Sequence, residues 1–175
     1  MSTPTALPRG SSGFVAHDDA ERAYAAAASV PDPEIPCVTV EDLGILRSVE
    51  IVDGAAVARL TPTYSGCPAV NAIEMAVEVA LLDAGFEPRI ERVMSPAWTT
   101  DWITPDGREK LRAYGIAPPE KASGSIRSLF GEVEVTCPQC GSRDTTRVSE
   151  FGSTACKALY RCLTCREPFD YFKCI

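Results

Sequence analysis

Two C-x-x-C pairs near the carboxy terminus constrain this chain more than any other feature. Cys137-Pro-Gln-Cys140-Gly and Cys162-Leu-Thr-Cys165 are separated by 21 residues, a pattern suited to one site built from four thiolates. Two residues between thiols let the backbone amides turn inward around a single ion. Four sulfurs at about 2.3 Å from Zn²⁺ complete a tetrahedron with no open position, so the expected site is structural. So short a segment has little core of its own, and metal binding supplies its folding free energy. A zinc-ribbon-like domain is therefore predicted over residues 133–175, and chelation is expected to melt that segment while the rest stays folded. Thiolate sites also accept rubredoxin-type iron or an iron–sulfur cluster, which stands as the alternative. Zinc is preferred because nothing nearby suggests a redox partner site. Cys156 and Cys174 lie outside the pairs and are read as small buried apolar fillers.

The same cysteines point to a compartment. The amino-terminal stretch MSTPTALPRGSSG lacks the basic cluster, apolar run and cleavage site of a secretory signal, so the expected location is the reducing cytoplasm. There, eight cysteines are read as metal-binding or reactive thiols and not as four disulfides. No apolar run approaches the ~20 residues a membrane span needs; Ala76 to Leu82, the most apolar stretch, contains Glu78. The net charge of −7 is concentrated in residues 1–132, with 11 basic and 19 acidic side chains, against 6 and 5 in residues 133–175. Nucleic-acid binders concentrate basic charge on one face, so nucleic acid is not an expected partner.

Ahead of the cysteine-rich segment, local signals order a second domain. Residues 1–16 are Ser-, Thr-, Pro- and Gly-rich and read as a flexible tail. DDAERAYAAAAS, from Asp18 to Ser29, is a strong helix former, and Pro31 and Pro33 stop it. Ile45–Val52 and Ala55–Thr61 are β-branched segments around Asp53-Gly54, the dipeptide that best fits a two-residue hairpin turn. Val70, Ile73, Val77 and Leu81 recur at helical spacing, with Pro68 placed for the first turn and Gly85 for the stop. Arg89–Met94 reads as a third strand. Thr104-Pro105 opens a short helix that Gly115 ends. The expected fold is thus an α/β domain over residues 17–117, a small mixed sheet with helices. Residues 118–132 are predicted to be a linker before the ribbon.

Cys67, between Gly66 and Pro68, feeds the long helix. There its sulfur would meet free N–H groups and the positive end of the helix dipole, and a lowered thiol pKa is expected. The same position also suits a buried cysteine near a turn. Asp32 and Glu34, in PDPEIP, offer oxygen ligands or a proton acceptor, although carboxylates in such loops are commonly just solvated. Cys37 has no helix-start context, and His17, the only histidine, lies in the tail, so neither is given a role. A lone histidine argues against a cysteine–histidine hydrolase or a histidine-based catalytic zinc site. Trp98 and Trp102, in SPAWTTDWI, read as packing groups, or as an aromatic rim near Cys67 for a partner surface.

Together, DPEIP, DLGIL, TPTYSGCPA, SPAWTTDWI and FGSTACKALYRCLTC carry a resemblance. The first 115 or so residues resemble the metal–sulfur cluster biosynthetic domain of cytosolic and bacterial iron–sulfur assembly factors. With the added ribbon, the chain from about Ala20 to Ile175 resembles the D-protein family of bacterial phenylacetate degradation. The resemblance implies an iron–sulfur-assembly-like fold and a non-enzymatic accessory role beside a multicomponent phenylacetyl-CoA epoxidase, helping to mature its metal centres. Implied partners are the epoxidase subunits or the epoxidase reductase, and iron–sulfur assembly proteins. It places the family's functional cysteine on Cys67 and its DPE motif on Asp32 and Glu34, as ligands of a transient iron or iron–sulfur cargo. One thiol does not hold a cluster that normally takes four protein ligands, so a homodimer with two copies of Cys67, or ligands from a client, would complete it. A redox or structural subunit of the oxygenase, with redox iron in the ribbon, and a zinc-ribbon adaptor are the competing readings.

Overall fold

The computed structural model describes residues 12–64, 66–119 and 134–173. Residues 1–11 of the expected tail, 120–132 of the expected linker, and Cys174 lie outside them. Helix α1 spans Ser12–Ala28, so it starts six residues before Asp18 and takes in the end of the stretch read as tail. Within the helix, Ala23 and Ala27, four apart on one face, are wholly buried, and side chains this small let it lie close to the sheet beneath it.

That sheet has three strands, β1 (Leu46–Val52), β2 (Ala55–Leu60) and β3 (Glu87–Arg92), in the order β1-β2-β3. β1 and β2 form the expected hairpin. Asp53 at φ 51° and Gly54 at φ 86° occupy its turn, the two positive angles that match the twist of the flanking strands. β2 to β3 is a parallel pairing, with Val57 opposite Arg89, and it requires a crossover, which helix α2 (Val70–Asp83) provides. α2 buries Ile73, Val77 and Leu81, as its periodicity demands. Its N-cap is Ala69, so Pro68 lies just outside the helix instead of in its first turn. β3 is displaced two residues toward the amino terminus from the expected Arg89–Met94, because its register is set by pairing with β2.

A 3₁₀ turn at Thr100–Trp102 leads into α3 (Pro105–Ala113), capped by Thr104, whose Oγ1 accepts the Gly107 N–H at 2.9 Å. Beyond α3 the architecture departs from two beads on a string. β4, only Ile116–Ala117, pairs in parallel with β7 (Pro168–Phe172) at the edge of a second sheet of order β4-β7-β6-β5, in which β6 is Lys157–Cys162 and β5 is Thr145–Ser149. The ribbon's sheet therefore includes a strand from the α/β part. The cores interlock too. A small cluster of Val135, Ala158, Tyr160, Phe169 and Tyr171 lines the ribbon, whereas Phe172 and Cys156 join the main α/β core. Among the described residues, no helix is long and apolar enough to cross a membrane.

Candidate functional site

The four-thiol site is built from two loops of matching backbone design. In the first, Cys137 N–H donates to Ser142 O at 2.9 Å and Gly141 takes φ 73°; in the second, Cys162 N–H donates to Glu167 O at 3.0 Å and Arg166 takes φ 68°. A left-handed residue after the second cysteine thus curls each loop around its pair of sulfurs. A hydroxyl contact between Ser142 and Thr164 at 2.8 Å ties one loop to the other. The Sγ atoms of Cys137, Cys140, Cys162 and Cys165 all lie within 4.8 Å of one another, with Cys137 to Cys165 at 3.7 Å and Cys140 to Cys162 at 3.6 Å. Sulfurs on a tetrahedron of 2.3 Å radius are about 3.8 Å apart, so the group fits one Zn²⁺ with no fifth position. The Cys165 N–H points at Cys162 Sγ from 3.4 Å and lowers the pKa of that thiol, while the neighbouring sulfurs push the Cys165 thiol up. Cys156 stands outside this tetrahedron.

The second constellation forms where the ribbon meets the α/β domain. Asp32, Glu34, Cys67 and Cys156 line one pocket, floored by Ile73 and Phe172. Asp32 is buried, and its Oδ1 accepts the N–H groups of Glu34 and Ile35, both at 2.8 Å. It thereby shapes the PDPEIP loop and turns Glu34 toward the pocket. Burial pushes the Asp32 carboxyl up, against the pull of those two N–H groups and of Lys157. Cys67 is half-buried on the turn before α2, with its N–H on Tyr64 O at 3.2 Å.

The expected depression of the Cys67 thiol is not found. Burial raises its pKa, the carboxylates of Glu34 and Asp32 raise it further, and the N–H groups of Ala69 and Val70 recover only part of the loss. The helix start alone would lower the thiol, but the fold buries it and brings two carboxylates near it. The aromatic-rim reading fails as well, since neither tryptophan lines this pocket. Trp98 is buried, donates its Nε1–H to Leu43 O at 2.8 Å, and packs against Phe172 with ring centroids 6.1 Å apart. Trp102 lies beneath the Arg47 guanidinium.

Cys156 is the pocket residue that sequence reasoning passed over. Its Sγ lies 3.0 Å from Thr154 Oγ1 and 3.8 Å from Glu34 Oε2. Ala158, Tyr160 and Cys162 alternate along β6 onto the ribbon's own cluster, whereas Cys156, just before the strand, joins the main core; nothing local says that it reaches Glu34, 122 positions away. Cys37, given no role, is a partly buried residue packed against the main core.

Two family models match different parts of the chain. The PaaD zinc beta ribbon domain model matches residues 121–173, and the iron–sulfur cluster assembly protein model matches residues 20–92. An Escherichia coli (strain K12) protein described as one of the subunits of a "Putative 1,2-phenylacetyl-CoA epoxidase" is 53% identical over 153 residues, which cover 87% of this chain and 91% of that protein. Among solved structures, the DUF59 domain of unknown function from Bacillus anthracis aligns with a TM-score of 0.51 at 24% identity, covering 56% of this chain and 95% of its own. It shares the fold of the α/β part. A Mycobacterium tuberculosis protein associated with Fe–S complex assembly and repair is 35% identical, covering 61% of this chain and 94% of that one, with a TM-score of 0.31. By the identity to the Escherichia coli protein along nearly the whole of both chains, this chain belongs to the PaaD family, an iron–sulfur cluster assembly domain followed by a zinc β-ribbon.

Proposed function

We propose that this chain is a non-catalytic maturation factor for a multicomponent phenylacetyl-CoA epoxidase, and that it works in the cytoplasm. In this role it receives iron or an iron–sulfur unit as cargo and passes it to the oxygenase or to the oxygenase's reductase. The observation that supports the reading is that the four-thiol site and a pocket lined by Cys67, Asp32 and Glu34 stand apart within one fold. One is a closed tetrahedron of four thiolates, which suits structural zinc. The other is a pocket lined by Cys67, Asp32 and Glu34, which offers both sulfur and oxygen donors, a mixture that suits a transient iron cargo. Upstream iron–sulfur assembly proteins would supply the cargo, and the epoxidase subunits would accept it.

Cys67→Ser, co-produced with the epoxidase subunits, tests this. The variant should fold and keep its zinc, while the epoxidase purifies depleted in iron or sulfide. Activity per loaded centre should be unchanged, because a maturation factor alters the number of active sites and not the barrier at each. The description of the Escherichia coli relative as a subunit favours a second reading, a redox or structural component of the oxygenase itself. That reading requires normal epoxidase metal beside lost turnover, a result that would overturn the maturation role.

A further inference from the structure

We infer that the outward face of helix α2 is the surface on which this protein docks its client, an epoxidase subunit presenting an apolar helix edged with Lys or Arg. The inference rests on the maturation reading and adds to it the place and the chemistry of docking.

α2 is apolar on two opposite sides. Ile73, Val77 and Leu81 are buried in the main core, while Ala72, Met75, Val79 and Leu82 follow the same helical spacing on the far side and are exposed. Met75 is 66% exposed, and Val79 and Leu82 are each 53% exposed. Single exposed apolar residues are ordinary on a protein surface. A helix that is apolar all round, by contrast, belongs between two neighbours, and the α/β core is only one. Met75, Val79 and Leu82 stand at i, i+4 and i+7, the spacing of anchors in helix-to-helix recognition.

Charge selects the helix that fits. Glu78 borders the stripe on one side and Asp83 on the other; both are exposed, and neither forms an ion pair among the described residues. α2 carries no basic residue, and its remaining acid, Glu74, is held by Arg92 at 2.7 Å. The carboxyl end of the helix, beside Asp83, adds the negative end of its dipole. Such a rim attracts Lys and Arg and repels its own kind. Pairing α2 with α2 of a second copy would bring two acidic rims together with no basic residue on either helix, so the occupant is a different chain.

Position gives the docking a purpose. The first turn of α2 supplies Val70 and Ile73 to the pocket that Cys67 lines. At about 1.5 Å per residue, the stripe ends about 18 Å along the helix from Val70, so a client seated on it is held beside the pocket. The stripe is also small. Stable interfaces use roughly 20–30 residues a side, far more than this stripe and its rim, so docking through it is transient, as delivery of a cargo requires.

The test uses the full-length zinc-loaded protein and, as probe, the epoxidase subunits produced together in cells lacking this chain. Binding is measured at low and high salt. Val79→Lys and Met75→Lys each place a charge in the stripe, and the double variant Glu78→Lys with Asp83→Lys reverses its rim. Val148→Lys puts the same charge on an exposed apolar residue of the ribbon and serves as control. Zinc per chain and the urea midpoint report that each variant is folded.

Wild type should bind, less tightly as salt rises. Both stripe variants should weaken binding by at least about tenfold, as for a residue central to an interface. Rim reversal should slow association and remove the salt dependence, and Val148→Lys should match wild type. Wild-type affinity in both stripe variants, unchanged salt dependence after rim reversal, or no binding by wild type overturns the proposal. So does a chain that self-associates in sedimentation and becomes monomeric as Val79→Lys, a result that assigns the face to a second copy. The maturation reading is decided separately: depleted client metal with Cys67→Ser upholds it whatever the stripe variants do, and normal client metal removes it.

Discussion

Phe172→Ala probes the joint on which the pocket depends. Phe172 ends β7, is 1% exposed, and belongs to the main α/β core although its strand belongs to the ribbon's sheet. Its ring meets Trp98, and it forms part of the pocket floor. Truncating a buried phenylalanine to alanine costs about 3–5 kcal/mol through lost transfer energy and the cavity left behind. The aromatic pair accounts for about 0.5–1.5 kcal/mol beyond area burial. At about 1.4 kcal/mol per factor of ten, the folded-to-unfolded ratio should fall by between about a hundredfold and a few thousandfold. Urea unfolding followed by tryptophan fluorescence and by zinc release to a coloured chelator reads both halves of the molecule. Both midpoints should fall together with the fluorescence slope unchanged, as expected when stability changes and the exposed area does not. A fluorescence-detected loss under about 1 kcal/mol, or a zinc-release midpoint that moves alone, would refute the shared core. The same reasoning revises the expectation that chelation melts residues 133–175 in isolation, since losing the ribbon strips Phe172 and Cys156 from the α/β core.

Cys162→Ser should lose one metal per chain by native mass spectrometry, and stoichiometric zinc in that variant would remove the four-thiol assignment. Asp42 gives a pH-dependent prediction: burial pushes its carboxyl up, but Lys110 at 2.9 Å and the Thr39 N–H at 2.9 Å outweigh burial and hold it below the usual range. A carboxyl lowered on folding contributes stability above its unfolded value of about 3.9 and loses it as pH falls through the folded value. Asp42→Asn should therefore cost about 1–3 kcal/mol at pH 7, a deficit that shrinks below about pH 4; an equal deficit at both pH values in urea melts would contradict the pairing with Lys110.

Features governed by a few adjacent residues were legible without tertiary structure. The Asp53-Gly54 turn, the burial of Ile73, Val77 and Leu81 along α2, the Thr104 cap and the grouping of Cys137, Cys140, Cys162 and Cys165 all follow from turn chemistry, helical period and chelate spacing. Each is decided by interactions within a turn, a helix or a chelate ring, so residue type and spacing carry it.

What the sequence could not express is which distant surfaces meet. Ile116–Ala117 is too short to show any period, and it is a strand only because β7 pairs with it. β3 takes its limits from the register with β2. Cys67 carried a correct local signal, a place beside a helix start. Its sign was reversed by burial that exists only once the sheet, α2 and Phe172 have closed around it, and further by Glu34 and Asp32, on a loop over thirty positions earlier. Cys156 shows the same limit most plainly. It stands just before β6 and packs in the main core while Ala158 and Tyr160 pack in the ribbon's cluster, so only the packing of the ribbon's sheet against the α/β core decides that it lines the pocket with Cys67, because packing acts through space and not along the chain.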